Sequence, residues 1–483
     1  MKIYNSLSRK IEEFQPIVPT KVGVYTCGPT VYDYLTIGNW RTYTLGDLLV
    51  RTLTFFGYQV TYVMNITDVG HLTGDNLGDA DMGDDRMENS AKREGKTAWE
   101  VAAFYTNDFL ESFSKLNLTQ PERFSKATDH IQEQIDLVQA IEKRGFVYRI
   151  DDGVYFDTAA YEAVGNRYGE LSTLDAIKEG ARVQPNPRKK NPRDFALWKF
   201  SPERSRRDME WPSPWGKGFP GWHIECSAMS MKYLGDQFDV HVGGEDLKST
   251  HHPNEIAQSE AATGKKPFVK YWVHGAFLLV DGGRMGKSKG NAYTLLDVTE
   301  RGFDPMALRY FYFTGHYRSP QNFTWEGLGA AANALNRLRM SVSSFRKAKE
   351  RSSLSREKLG KLEEYRQRFK AALENDLSVP EALSVVWEVV KSNIPDYDKY
   401  DLLLAFDQVL GLKLNEVSEA YGLQEIDLSS LPEDIGKEIQ SREDLRKQGK
   451  FAEADIVRKR LEEKGFIVED TPGRTVVKKS VDQ

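Results

Sequence analysis

The sequence predicts an α/β fold: a Rossmann-like, doubly wound parallel sheet carrying an insertion, then an α-helical bundle and a small C-terminal α+β module. Three observations carry this. Val22–Tyr25 is a short apolar run that ends at Cys27-Gly28-Pro29, where the chain must turn. Gly38 then opens a helical pattern over Arg41–Phe56, and Val60–Met64 follows as a second strand rich in β-branched and aromatic residues. Strand, helix and strand in that order make a βαβ unit, hence a parallel sheet.

The first turn places unpaired N–H groups and the positive end of a helix dipole at a strand's carboxyl end, which suits a polyphosphate. It also holds one of only two cysteines in the chain. Alone, that cysteine reads as a buried small hydrophobe at a strand end sooner than as a functional group.

Composition sets limits. A chain of 483 residues is expected to hold several domains. An apolar fraction of 40% with 28% charged residues is that of a soluble globular protein. No apolar run reaches bilayer length and the amino terminus has no signal-peptide pattern, so no membrane is expected. Two cysteines form no disulfide scaffold, so a reducing cytoplasm is the expected location. A net charge of −5 argues against coating nucleic acid while allowing a local basic contact surface.

Along the chain, Gly70–Gly95 is rich in Gly and Asp, lacks calcium-loop spacing and reads as a mobile, solvated surface segment. Trp99–Leu116 reads as an amphipathic helix with Ala102, Phe104, Phe109 and Phe113 inward. Ile131–Arg144 is a further helix, and Val147–Tyr148 with Asp152–Phe156 a hairpin. From Ala159 to Trp215 periodicity fades, and Arg188, Lys189, Lys190, Arg193, Arg206 and Arg207 form either a phosphate-contacting or a simply solvated basic loop. The sheet resumes at Phe238–Val242, followed by a helix over Asn254–Ala262, the strand Phe277–Val280 and the turn Asp281-Gly282-Gly283. Met306–Leu410 is overwhelmingly helical. Glu416–Ser430 reads as a linker, and Leu431–Lys479 as a helical hairpin with a short tail. The expected domains are thus 1–118 and 216–318 (two halves of the sheet domain), 119–215 (insertion), 319–425 (bundle) and 431–483 (terminal module).

Chemistry-bearing residues collect in three places. Cys226 sits in P-G-W-H-I-E-C-S-A-M, and His251-His252-Pro253-Asn254-Glu255 follows. Cys, His and Glu are competent zinc ligands, although no C-x-x-C is present. His251 and Glu255 share a face only if the segment is helical throughout, whereas Pro253 favours starting the helix. His252 and His223 read as packing or supporting residues. Arg284-Met285-Gly286-Lys287-Ser288-Lys289-Gly290-Asn291 is a basic Gly/Ser loop able to clamp a polyphosphate, or an ordinary basic loop.

Taken together, Y-T-C-G-P-T-V-Y-D-Y, T-I-G-N, N-I-T-D, P-G-W-H-I-E-C-S-A-M, G-G-E-D-L, H-H-P-N-E-I-A-Q, R-M-G-K-S-K-G-N, G-H-Y-R-S-P and F-A-E-A-D-I-V-R, in this order, resemble the cysteinyl-tRNA synthetases, a family of class I aminoacyl-tRNA synthetases. The resemblance runs from about Tyr4 to Lys479. It implies ATP-dependent ligation of L-cysteine to the 3′ end of tRNA(Cys) through cysteinyl-adenylate. One zinc ion per chain is implied, held by Cys27, Cys226, His251 and Glu255, with Mg²⁺ accompanying ATP. Lys287, Thr36, Asn39 and Arg284 fall on catalytic positions. Thr36, Gly38, Asn39, Gly244, Asp246, Lys287 and Ser288 fall on ATP-binding positions, with Asp246 on the ribose. Gly28, Thr67 and Trp222 fall in the amino-acid pocket. The insertion would meet the acceptor end. The terminal module would read the anticodon; its Arg442, Arg446, Lys447, Arg458 and Lys459 either contact phosphates or, interspersed with Glu and Asp, form a solvated helix. A monomer is the family habit.

The implied zinc has a physical logic, since cysteine and serine are near-isosteres that a cavity separates poorly, while zinc prefers a thiol to a hydroxyl. Four protein ligands describe a closed site, so Glu255 is the candidate to give way when the substrate enters. Three departures stand out. Thr36 and Asn39 replace the class histidines and neither carries charge. Arg284 and Gly286 replace a lysine and a serine. Pro253 replaces a commonly acidic residue. Two rival readings are a cysteine ligase acting on a small amino-sugar, opposed by the extra sequence after Tyr317, and a catalytically silent tRNA-binding paralogue, opposed by retention of all four ligand types and Lys287.

Overall fold

The computed structural model describes every residue except 71–84, 173–185, 202–206, 287–288, 348–353, 416–423, 426–430, 465, 472–473 and 480–483. The core is a five-stranded, all-parallel sheet in the order Val269–Gly275, Phe238–Gly244, Lys21–Thr26, Gln59–Ile66, Arg123–Lys126. Lys21–Thr26 is central. Its next strand in sequence lies on one side, and Phe238–Gly244, reached only after the insertion, lies on the other. Where the winding reverses, a crevice opens at the carboxyl ends of the strands. Val22, Val24, Tyr25, Val240 and Val242 are all buried, as a sheet covered on both faces requires.

The helix after the central strand runs Ile37–Phe55, starting four residues before the expected Arg41, so Thr36 is its N-cap. Its buried Asp47 is met by the guanidinium of Arg309 at 2.5 Å and of Arg51 at 2.9 Å. Arg123–Lys126, within residues expected to form the insertion, instead completes the core sheet beside Gln59–Ile66.

The segment Gly70–Gly95 is corrected in part: residues 71–84 lie outside the described residues, while Arg86–Glu94 is a helix capped by Asp85. The helix Ala98–Lys115 buries Ala102, Phe109 and Phe113 as expected, but Phe104 is 44% exposed. Tyr105 takes the inward place and packs edge-on against Tyr34.

The insertion contains order that lost periodicity concealed. Val147–Ile150, Gly153–Phe156, Phe195–Phe200 and Gly218–Pro220 form an antiparallel sheet over a core that includes Phe156, Trp198 and Ile224. Its basic residues are largely spent on neighbouring acids. Arg188 pairs with Asp151 and Asp152, Lys190 with Asp157 at 2.9 Å, Arg193 with Glu162 at 2.7 Å, and Arg207 with Asp85. Lys189 lies over the Tyr155 ring, and Arg206 is outside the described residues.

The chain divides into two compact units: Met1–Ala332, Ser353–Ile394 and Asp401–Leu412 in one, Asn333–Ser352, Pro395–Tyr400 and Lys413–Gln483 in the other. The expected bundle 319–425 is therefore not a body of its own, because Arg356–Glu374 and Val379–Lys391 belong to the sheet-bearing unit. In the second unit, helices Glu433–Lys447 and Phe451–Glu463 pair, and the expected tail is a β-hairpin of Phe466–Thr471 and Arg474–Lys479. Gln424–Glu425, inside the expected linker, adds a third strand. Ile435, Ile439, Val457, Leu461 and Val468 fill its core. Arg442 is buried there, so it is not a surface phosphate contact as expected. Among the described residues no helix is long and apolar enough to cross a membrane.

Candidate active site

The site is built at the switch point. The Cys27 N–H donates to the Val242 carbonyl at 3.0 Å, continuing the sheet one residue past Thr26. Gly28 then turns the chain so closely that a Cβ there would lie 1.8 Å from the Asn65 carbonyl oxygen. Its N–H donates to Asn65 Oδ1 at 2.7 Å, and the Thr67 N–H to the Pro29 carbonyl at 2.8 Å. The turn at Cys27–Pro29 and the turn at Asn65–Thr67 are thereby laced together. The Thr67 hydroxyl is buried and donates to Glu225 Oε2 at 2.9 Å. Thr67 thus supports the pocket from beneath and is not among the residues lining the cavity.

Cys226 is presented by the helix Trp222–Leu234, and His251 and Glu255 by the helix His251–Thr263. This corrects the expected start at Asn254. Pro253 is the third helical residue, where the N–H has no intrahelical partner to lose. The i, i+4 pair therefore forms, with His251 Nε2 3.0 Å from Glu255 Oε1. Cys27 Sγ is 4.0 Å from Cys226 Sγ and 3.8 Å from Glu255 Oε1. The ligand atoms of Cys27, Cys226, His251 and Glu255 all lie within 4.8 Å of one another and all four residues are buried. Tetrahedral zinc with bonds of about 2.0–2.3 Å separates its ligands by about 3.3–3.8 Å, so the donor set fits the ion in type and in spacing.

Charge in the cluster is already arranged. Burial alone would raise the Glu255 carboxyl, but His241 and His251 outweigh it and hold it down to about 2. Burial would lower His251, and the charges of Glu255 and Cys226 instead push it up to about 10. The contact from Cys27 draws the Cys226 thiol down, while burial drives Cys27 up.

Sequence reasoning missed a second set of donors, Cys27, His241, His252 and Glu255, which meets the same 4.8 Å condition. His241 Nε2 lies 3.0 Å from Glu255 Oε2, and its ring stacks on Trp272 at 4.6 Å. His252 Nε2 is 3.4 Å from Cys27 Sγ, and its Nδ1 is 2.7 Å from His274 Nε2. His252 therefore faces the cluster itself. The set with two sulfurs is the softer and better suited to zinc. His223 Nδ1 lies 2.9 Å from His251 Nδ1, the supporting place expected of it.

Beside the cluster a cavity of about 250 Å³ opens. Cys27, Gly28, Trp222, Thr36, Asn39, Gly244 and Asp246 line it, which brings the expected amino-acid and nucleotide residues to one space. At its nucleotide end the Thr36 hydroxyl and N–H both bond Asn39 Oδ1. The Ile37 N–H goes to the Tyr293 carbonyl at 2.8 Å, so fewer helix donors remain than the sequence suggested. Gly38 is faced by the basic loop Arg284–Asn291, since a Cβ on it would lie 2.4 Å from Met285 Cε. Arg284 is exposed over the Phe277 ring and does not line the cavity. Lys287 and Ser288 lie outside the described residues. Tyr32, within Y-T-C-G-P-T-V-Y-D-Y, and Arg86, which no motif flagged, also line the cavity.

The family model for the class I (C) tRNA synthetase catalytic domain matches residues 13–333. The chain is 45% identical to cysteine–tRNA ligase 1 of Burkholderia lata, over 98% of this chain and 95% of the relative. It is 43% identical to the cysteine–tRNA ligase of Treponema denticola, over 99% of each. Among solved structures, a Mycobacterium tuberculosis methionyl-tRNA synthetase in complex with methionyl-adenylate is similar with a TM-score of 0.55 at 15% identity, covering 81% of this chain and 90% of that one. A leucyl-tRNA synthetase from Agrobacterium radiobacter in a ternary complex is similar with a TM-score of 0.56 at 13% identity, covering 83% and 85%. Those two likenesses concern the fold. Fold and crevice are those of a class I tRNA synthetase. Within that class, the chain belongs to the cysteine–tRNA ligase family.

Proposed function

We propose that this enzyme charges the 3′ end of tRNA(Cys) with L-cysteine in two steps, acting as a monomer in the cytoplasm. In the first, a carboxylate oxygen of cysteine attacks the α-phosphorus of ATP. The bond to the β-phosphate breaks, its electron pair leaving with pyrophosphate, and cysteinyl-adenylate forms. In the second, the terminal ribose hydroxyl of the tRNA attacks the acyl carbon and AMP departs. The single observation that carries the reading is the convergence of Cys27, Cys226, His251 and Glu255 beside the cavity that Thr36, Asn39 and Asp246 line.

In this reading those four residues hold zinc, and a zinc ion there prefers the thiol of cysteine to the hydroxyl of serine. Gly28 and Trp222 wall the amino-acid end, with Thr67 fixing the turn beneath it. Gly244 and Asp246 take the ribose. Asn39, Lys287 and Ser288 meet phosphates that arrive with Mg²⁺, whereas Gly38, faced by Met285, and Arg284, over the Phe277 ring, are not among the residues lining the cavity. No covalent enzyme intermediate is required, so rate comes from positioning and charge stabilisation. The insertion approaches the acceptor end. The terminal module reads the anticodon, with Arg446, Lys447, Arg458 and Lys459 on phosphates.

Cysteine-dependent ATP–pyrophosphate exchange, followed by charging of tRNA(Cys), tests this. Both reactions are expected. Exchange without charging would point to a small-molecule cysteine ligase, and no exchange to a silent paralogue.

A further inference from the structure

The carboxylate of an amino acid and the phosphates of a nucleotide are anionic groups, yet the described walls of the cavity carry little positive charge. Asp33 and Asp246 contribute carboxylates, and among the described lining residues Arg86 alone is a cation. Its position is built. Asp85 caps the nine-residue helix Arg86–Glu94, accepting from the N–H groups of Met87 at 2.7 Å and Glu88 at 3.0 Å. The same carboxylate pairs with Arg207. Gly70 makes room for it, because a Cβ there would fall 2.0 Å from Asp85 Oδ2. So the end of the N-I-T-D-V-G turn and the start of this helix are locked side by side, and Arg86 is the helix's first residue. Arg86 Nη1 donates to Tyr32 Oη at 3.0 Å, with the guanidinium 5.5 Å from the centre of the Tyr32 ring. Tyr32, Gly28, Trp222 and the metal-ligand candidate Cys27 line the same cavity.

We propose that Arg86 binds the α-carboxylate of the amino-acid substrate and holds it for attack on the α-phosphorus, an inference that rests on the adenylation reading above. A carboxylate entering a space that already holds Asp33 and Asp246 needs a cation to offset its lost hydration. A guanidinium offers a planar pair of donors that matches a carboxylate in two parallel hydrogen bonds, which an ammonium cannot reproduce. The helix cap and the Tyr32 contact hold the fork in place before substrate arrives, so little ordering remains to be done on binding. With the thiol at the zinc that Cys27, Cys226, His251 and Glu255 would hold and the carboxylate at Arg86, the amino acid is gripped at both ends.

The test compares wild type, R86Q and R86K in cysteine-dependent ATP–pyrophosphate exchange, with cysteamine, which is cysteine without its carboxylate, as a competitive inhibitor. R86Q is expected to raise the KM for cysteine about tenfold or more, with the KM for ATP and the inhibition constant of cysteamine both within about twofold of wild type. R86K, which keeps the charge and loses the fork, falls between. Zinc content and Tm stay at wild-type values, and if R86Q does not fold, R86K carries the comparison. A cysteine KM unchanged in the folded variants overturns the proposal. So does a parallel loss of cysteamine binding, or a rise confined to the KM for ATP. Absence of exchange in the wild type instead overturns the adenylation reading, and the role of Arg86 with it.

Discussion

The Thr36 hydroxyl donates to Asn39 Oδ1 at 2.7 Å, and the Thr36 N–H reaches the same oxygen at 3.0 Å. The two residues that replace the class histidines are thus bound to each other, closing the first turn of the helix Ile37–Phe55. The Thr36 hydroxyl hydrogen is committed, so the side-chain donor left for a phosphate at this end is the Asn39 amide.

It follows that the two positions separate. Thr36→Ala removes a helix cap and is expected to cost about 1 kcal/mol of stability, with a modest loss of pyrophosphate exchange. Asn39→Asp keeps the capping oxygen, loses the amide donor and sets a negative charge towards the phosphates, so exchange is expected to fall at least about tenfold while Tm stays within a few degrees. Thermal melts and exchange rates on the two variants check this. Equal losses of rate in both would show that Thr36 serves the nucleotide directly.

Gly28→Ala is a steric probe of the laced turns. Its Cβ would press on the Asn65 backbone oxygen rather than on a movable side chain, an overpacking that costs about 1–3 kcal/mol. Reduced Tm together with reduced zinc content, measured by metal analysis, is the expected result, because displacing Gly28 drags Cys27 with it.

Asp47 gives a pH dependence. Burial favours its neutral form, but Arg309, Arg51 and the hydrogen bonds from Thr119 outweigh burial and hold its carboxyl below the usual range. Its folded value therefore lies below the unfolded value of about 3.9. The stabilisation is fully present above that unfolded value and is lost as pH falls toward the folded one. Melts from pH 7 to 3 are expected to show Tm dropping on the acid side. Asp47→Asn leaves the buried Arg309 charge with its backbone partners, the Leu410 and Leu116 carbonyls, and without its carboxylate, with an expected cost of about 3–5 kcal/mol at pH 7 and a flatter acid limb.

How much of this was legible depended on whether a feature is local. The strand Lys21–Thr26, its glycine turn and the following helix are written in contiguous residues, and periodicity finds them. Cys27 and Cys226 are 199 residues apart, so no spacing joins them and only the resemblance did. Pro253 misled because a proline is costless anywhere in a helix's first turn, which leaves the start ambiguous by two residues. Phe104 and Tyr105 are both aromatic and adjacent, and only tertiary packing decides which turns inward. Phe195–Phe200 finds its partner strand about forty residues upstream (Gly153–Phe156), a pairing local patterns do not carry. Arg86 lay in a stretch that composition alone marked as loop.

In the proposed function, Cys27, Cys226, His251 and Glu255 select cysteine by holding zinc. The most direct measurement is pyrophosphate exchange driven by cysteine or by serine, with metal content, in wild type and Cys226→Ser. Wild type is expected to carry about one zinc per chain, with strong exchange on cysteine and little on serine. Cys226→Ser is expected to lose most of the metal and most of the preference. A Cys226→Ser enzyme that is free of zinc yet still prefers cysteine as strongly as wild type would contradict the account.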